Sequence, residues 1–145
     1  MLTLPQQMNG EISSSILFAE RKWGIMENSA EYAKRREAQN KLILSQADLS
    51  MKRFFALDHD VYDEGALPKK MKELMGLVAS MVLRCNDCIS YHLSESVEHG
   101  ATEKEIVEAL GIALVVGGSI TIPHVRHAMA FLETIERTDE ASKEE

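Results

Sequence analysis

The sequence predicts an all-α protein, a helical bundle of about six to seven helices. Apolar residues recur at helical rather than alternating spacing through most of the chain. Helix-start signals, either Asn, Asp or Thr set ahead of the apolar run or Pro in a first turn, stand before those runs. Composition agrees: 45% hydrophobic residues with only 6% aromatic describe an aliphatic core. A chain of 145 residues suits one domain, burying roughly two thirds of the surface its unfolded form exposes.

The elements follow in order. Ile16, Ala19, Trp23 and Met26 share one face of a first amphipathic helix, with Gly24 as its weak point. Asn28-Ser29-Ala30-Glu31 has the form of a capping box for a second helix, which Lys34, Arg35, Arg36, Glu37 and Gln39 make largely polar and solvated. A third start at Ser45-Gln46-Ala47-Asp48 leads into an apolar stripe of Ala47, Met51, Phe54 and Phe55 that stops near Asp58, where Asp60, Asp63 and Gly65 predict a loop. Pro68 opens the next helix, with Met71, Leu74, Met75, Val78 and Val82 as its stripe and Glu73 off it, beside Leu77 and Ser80. A helix from Cys88 to His99 is closed by Gly100. Thr102-Glu103-Lys104-Glu105 caps another, whose face of Ile106, Ala109, Leu110, Ala113 and Leu114 runs to Gly117-Gly118. Thr121 and Pro123 start the last, on Val125, Ala128, Leu132 and Ile135. The β-branched run over residues 115–122 is the one place that also suits a short strand.

Charge and hydropathy exclude several classes. Sixteen basic against 23 acidic residues give a net charge of -7 with no basic cluster, so no nucleic-acid partner is expected. The longest apolar runs, residues 76–83 and 109–116, fall far short of the ~20 residues that span a bilayer. Residues 1–15 carry no charged region followed by an apolar core. The expectation is a soluble, cytoplasmic protein without a membrane partner.

Chemistry concentrates in one stretch, Arg84-Cys85-Asn86-Asp87-Cys88-Ile89-Ser90-Tyr91-His92, which holds both cysteines of the chain. On a helix, Cys85, Cys88 and His92 fall on one face. Residues three apart in a helix lie about 5–6 Å from each other, within disulfide reach. Thiolate is favoured near a helix amino terminus, which nominates Cys85, and beside an imidazole, which nominates Cys88. The same three side chains suit zinc, although the chain has no second cysteine pair to complete a structural site. A structural disulfide closing so short a loop would constrain the unfolded chain little.

Glu73, eleven residues, Cys85, two residues, Cys88, three residues, His92 resembles the active-site pattern of the AhpD-like alkylhydroperoxidases, within the carboxymuconolactone decarboxylase-like family. The resemblance extends over roughly residues 67–132 and includes Leu67-Pro68, the turn Glu98-His99-Gly100-Ala101-Thr102 and the Gly117-Gly118 break. It implies an AhpD-like core at 61–136, preceded by an amino-terminal helical extension at 1–60 packed on that core, and a frayed tail at 137–145.

What the resemblance implies is a peroxidase or disulfide reductase that needs no bound cofactor. Cys88 would be the peroxidatic thiol, Cys85 the resolving thiol, His92 the group that activates Cys88, and Glu73 the carboxylate that relays protons through His92. Peroxide or disulfide would be the substrate, an external dithiol the reductant, and a homo-oligomer, trimer or hexamer, the working form. Lactone decarboxylation within the same fold and a zinc-stabilised interaction module are the alternatives. On one straight helix Glu73 and His92 would lie about 28 Å apart, so the relay requires the chain to turn back near Arg84. Asp87, directly before Cys88, should raise that thiol's pKa. His99 is expected to cap helix-end carbonyls, His59 to sit in an acidic loop, and His124 and His127, with Arg126, to lie on the surface, the alternative being that they line a pocket or a subunit contact.

Overall fold

The computed structural model describes residues 27–135, which form six α-helices and one 3₁₀ turn, with no strand among the described residues. The helices are α1 (Ser29–Gln46), α2 (Leu49–Tyr62), α3 (Lys69–Val82), α4 (Asn86–Glu98), α5 (Glu103–Gly117) and α6 (Ile122–Leu132), with the 3₁₀ turn at Ser119–Thr121 before α6. The helix expected on Ile16, Ala19, Trp23 and Met26 and the tail at 137–145 lie outside the described residues.

Three start signals act as the sequence predicts, whereas Pro68 is an N-cap rather than the first helical residue, α4 begins at Asn86 rather than Cys88, and Thr121 makes no side-chain cap. Asn28 and Thr102 each complete a reciprocal capping box, with Glu31 and Glu105, and Asp48 accepts from the Met51 amide. Each satisfies amide groups that a helix start leaves unpaired. Gly100 takes φ 82°, the left-handed value that lets the chain leave α4 without a Cβ penalty. The residues about 118–122 form the 3₁₀ turn and the start of α6 rather than a strand.

Helix α3 is central, packing against α4 on one side and α5 on the other. Between them lie the fully buried Leu77, Met81, Ile89, Leu93 and Ile106, joined by Phe131 of α6. Each such side chain contributes roughly 1.5–3 kcal/mol over its exposed state. The expected stripe of α3 is corrected here. Its buried face carries Glu73, Leu74, Gly76, Leu77, Ser80 and Met81, while Met71 and Met75 are exposed. Leu74 and Val78 of the expected stripe do meet the core, but two flanking helices select a face that includes Glu73 in place of Met71 and Met75.

Helix α2 also departs from expectation. It continues through Asp58 and Asp60 to Tyr62 instead of yielding to a loop. It buries no residue, and Leu49, Met51, Phe54, Leu57 and Val61 all stand exposed. Helix α1 is mostly solvated, as its composition predicts, but Tyr32 is buried against Phe131 with ring centroids 5.6 Å apart. The start of α1 is tied to the end of the chain's last described turn, where the Ser29 amide donates to Thr134 Oγ1 at 3.0 Å.

Candidate active site

The site begins at the turn between α3 and α4. Arg84 takes φ 61°, a left-handed conformation without glycine, and reverses the chain so that α4 returns antiparallel along α3. A non-glycine residue there costs roughly 1–2 kcal/mol, which the packed hairpin must hold in place. The next residue, Cys85, is extended and serves as the N-cap of α4; its amide donates to Ser80 O at 3.0 Å. Cys88 lies in the first turn of the helix, and its amide donates to Cys85 Sγ at 3.3 Å. The two cysteines are joined as a disulfide with Cα atoms 5.3 Å apart, and both are half-buried.

One turn beyond Cys88, His92 meets Glu73. Its Nδ1 lies 2.8 Å from Glu73 Oε2, and the carboxylate is completely buried. A sequence separation of 19 is thus folded into one contact, as a relay would require. A carboxylate only accepts, so this bond places a proton on Nδ1 and leaves Nε2 unprotonated in the neutral ring. Glu73 Oε1 has no hydrogen-bond partner in the structure.

The pocket for the imidazole is made by Gly76, one turn after Glu73. A Cβ built there would stand 2.6 Å from His92 Cε1 and 2.6 Å from Tyr62 Oη. Tyr62 and Tyr91 flank the His92 ring with centroids 5.3 and 5.0 Å away. Burial and the neighbouring acids Glu95 and Glu73 push the Tyr91 hydroxyl up to about 12. Burial, with Glu73 and Asp58 nearby, also raises Tyr62. Both phenols therefore stay neutral. Neither Gly76 nor Tyr62 is visible in the motif; the only sequence signal is a lone glycine inside a helical pattern.

Each residue between the cysteines is held from outside. Asn86 Oδ1 meets His124 Nδ1 at 2.7 Å, and Asp87 Oδ1 accepts from Arg35 Nη2 at 2.8 Å. Arg35 is also doubly bonded to Glu27, at 2.7 and 2.9 Å, and its guanidinium lies 5.2 Å from the Tyr32 ring centroid. Tyr32 Oη in turn donates to Asp87 O at 2.8 Å. His127 Nε2 lies 2.9 Å from Ser90 Oγ, and burial holds His127 below the usual histidine range.

These contacts correct the expectations for the remaining histidines. His124 and His127 are bound to α4 rather than free on the surface. His99 supplies its backbone at the C-cap while its ring faces Glu95 at 3.6 Å, so no side-chain carbonyl cap forms. His59 is on helix α2, beside Asp60 at 3.7 Å, not in a loop. In the disulfide state the two sulfurs are bonded to each other, and His92 Nδ1 is engaged by Glu73.

No helix among the described residues is long and apolar enough to cross a membrane. The outer face of α5 is apolar, with an open groove lined by Gly111, Ile112, Val115 and Val116.

Comparison with known proteins places this geometry among relatives. A model of the carboxymuconolactone decarboxylase family matches residues 48–134. An uncharacterised protein of the cox locus of Paracoccus denitrificans is 32% identical over 83 residues, 57% of this chain and 75% of that protein. An uncharacterised protein of Cupriavidus necator is 29% identical over 72 residues, 50% of this chain and 64% of its own length. Two crystal structures of one Thermotoga maritima protein are 57% and 58% identical, with TM-scores of 0.68 and 0.70. Each covers 71% of this chain, and the matched part is 87% and 90% of the respective structures. That protein is described as a carboxymuconolactone decarboxylase family member with a suggested involvement in an antioxidative response. A family protein from Legionella pneumophila, solved in its apo form, is 28% identical with a TM-score of 0.66, covering 72% of this chain and 94% of its own.

Proposed function

Because the chain belongs to the carboxymuconolactone decarboxylase family, we propose that this member is a thiol-dependent oxidoreductase that reduces hydroperoxides, or disulfides, through the Cys85–Cys88 pair. The observation that carries the reading is the arrangement of a half-buried, disulfide-competent cysteine pair at the start of α4 with a histidine one turn on, itself bonded to a buried carboxylate. His92 takes the Cys88 proton at Nε2 while Glu73 holds Nδ1–H and stabilises the imidazolium. The Cys88 thiolate attacks one peroxide oxygen; the O–O bond breaks, the alcohol leaves with a proton, and Cys88 becomes a sulfenic acid. The Cys85 thiol then displaces water to form the disulfide. An external dithiol, oxidised to its own disulfide, returns both cysteines to thiols. The steps need no cofactor.

The exposed apolar rows of α2 and α5 support a homo-oligomer, a trimer or hexamer, in which copies cover these faces. A reducing cytoplasm would keep the dithiol supplied with reductant. A second reading has an observation of its own: the Glu73–His92 pair could transfer protons without sulfur, as lactone decarboxylation in this family would require. The deciding experiment is hydroperoxide consumption coupled to a dithiol reductant, with wild type, Cys88→Ser, Cys85→Ser and the double variant. The expected result is loss of turnover in all three, with a trappable Cys88 sulfenic acid in Cys85→Ser. Undiminished turnover in Cys88→Ser would remove the proposal, and lactone decarboxylation surviving in the double variant would favour the second reading.

A further inference from the structure

Arg35 lies in α1, ahead of the family-matched segment that begins at residue 48, yet its guanidinium reaches the residue directly before Cys88. We propose that Arg35 is a positioning residue of the dithiol: by holding the Asp87 carboxylate toward α1, it keeps that negative charge from opposing the Cys88 thiolate. The inference rests on the reading of Cys85 and Cys88 as a redox pair.

Three features distinguish this contact from an ordinary exposed ion pair, which is worth little. Arg35 is fixed before it meets Asp87, by two bonds to Glu27 and by the Tyr32 ring beneath it. Tyr32, three residues earlier and so on the same face of α1, is buried and anchors that face by donating to the Asp87 carbonyl. The Asp87 carboxylate is therefore gripped by the helix that already holds its backbone. Its position matters because it occupies the first turn of α4, where the amide groups that would stabilise a Cys88 thiolate also attract a carboxylate. Released from Arg35, Asp87 is free to swing toward that helix end and compete.

The charged and titratable groups around the helix start come from every element packed on it. Helix α1 supplies Arg35, Arg36 over the Tyr91 ring and the neutral Tyr32, with Glu27 just before it; α3 supplies Glu73 through His92. Helix α6 supplies His124 at Asn86 and His127 at Ser90, and Arg84 precedes Cys85 on the turn. Asp87 places a negative charge next to Cys88 in sequence, and Arg35 is the side chain hydrogen-bonded to its carboxylate among the described residues. One charge roughly 7 Å from a thiolate in a water-like medium shifts its pKa by about 0.4 unit, which below the pKa is about 2.5-fold in thiolate fraction.

The test measures the Cys88 thiol pKa by thiolate absorbance in a Cys85→Ser background, and the dithiol–disulfide equilibrium against glutathione with both cysteines present. Arg35→Met is expected to raise the Cys88 pKa by up to about 0.4 unit, the full effect of one charge at that distance, and make the pair more reducing. In an Asp87→Asn background the same Arg35 change should produce less than half that shift, since the released carboxylate is gone. Arg35→Lys, which keeps a cation for Asp87, should recover most of the wild-type value, separating the role from lost packing. An equal shift with and without Asp87, or no shift in Arg35→Met with native helicity, overturns the proposal. These readouts do not depend on peroxide. Coupling present without peroxide turnover would sink the peroxidase reading alone, and turnover present without coupling would sink this inference alone.

Discussion

Replacing Gly76 by alanine tests the site through its packing. Glycine inside a helix normally costs about 1 kcal/mol against alanine, so on propensity the substitution stabilises α3. The new Cβ, however, would stand 2.6 Å from His92 Cε1, 2.7 Å from Nδ1 and 2.6 Å from Tyr62 Oη, where ordinary contact begins at 3.4 Å. Half-buried Tyr62 sits at the end of α2 and can swing away; His92 cannot, because Nδ1 is bonded to Glu73 at 2.8 Å. Moving the ring by the missing ~0.8 Å breaks that bond and leaves the fully buried Glu73 carboxylate with no partner on either oxygen. Breaking a buried pair costs roughly 3–5 kcal/mol, so Gly76→Ala should be destabilised by about 2–4 kcal/mol after the propensity gain. The assay is urea unfolding at neutral pH and fixed protein concentration, read as a lower midpoint with unchanged slope. Gly111 in α5 is the control, since nothing lies within 4 Å of its built Cβ; Gly111→Ala should gain up to ~1 kcal/mol. If Gly76→Ala gained as much as Gly111→Ala, the claim that glycine makes the imidazole pocket would be wrong.

The other expectations are simpler. Arg84→Gly removes a left-handed cost of roughly 1–2 kcal/mol and adds glycine's chain-entropy cost of about 0.5–1 kcal/mol, so chemical denaturation should show a net gain of about 0–1.5 kcal/mol; a loss would mean that the Arg84 side chain holds the turn. Glu73→Gln preserves shape but withdraws the charge that supports an imidazolium, and should slow Cys88 oxidation at neutral pH by ~10²-fold while leaving the disulfide able to form. Lys70, 2.8 Å from Glu105, followed by the bonds from Thr102, holds that carboxyl at about 2, below its ordinary 4.5. Glu105 therefore stabilises the fold above about pH 4.5 and loses that contribution as pH falls toward 2. In Lys70→Met the acid loss of stability over that window should shrink, and an unchanged acid limb would show that the pair adds nothing.

The caps of α1, α2, α4 and α5 were legible because each is a local event. Asn28, Asp48, Gly100 and Thr102 satisfy or release backbone within a few residues, and their chemistry is written in the same short stretch. The buried face of α3 was not legible. Met71, Met75 and Val78 fit a helical stripe as well as Leu77 and Met81 do, and a sequence does not reveal which row two neighbouring helices will cover. Glu73 sharpens the point, since a buried acid breaks the binary pattern that identifies a core face. It can be buried because His92 meets it, and that meeting depends on a left-handed turn at Arg84 that no residue preference announces.

The candidate site divides along the same line. The spacing of Glu73, Cys85, Cys88 and His92 survives in the chain because Cys88 and His92 lie on one helix, Cys85 is its N-cap and Glu73 lies on its hairpin partner, so sequence distance and spatial distance remain tied. Gly76 is one turn from Glu73 and follows that rule once His92 is placed. Arg35 breaks it: fifty-two residues separate it from Asp87. Read locally, Asp87 is only an acid beside Cys88, and the electrostatic expectation is a slower thiol. With Arg35 and Tyr32 of α1 gripping its two ends, the same residue becomes a charge whose direction is set from outside the family-matched segment. On the role proposed for Arg35, a segment that brings charge to a thiol from another helix would tune its reactivity while the four-residue motif stays unchanged.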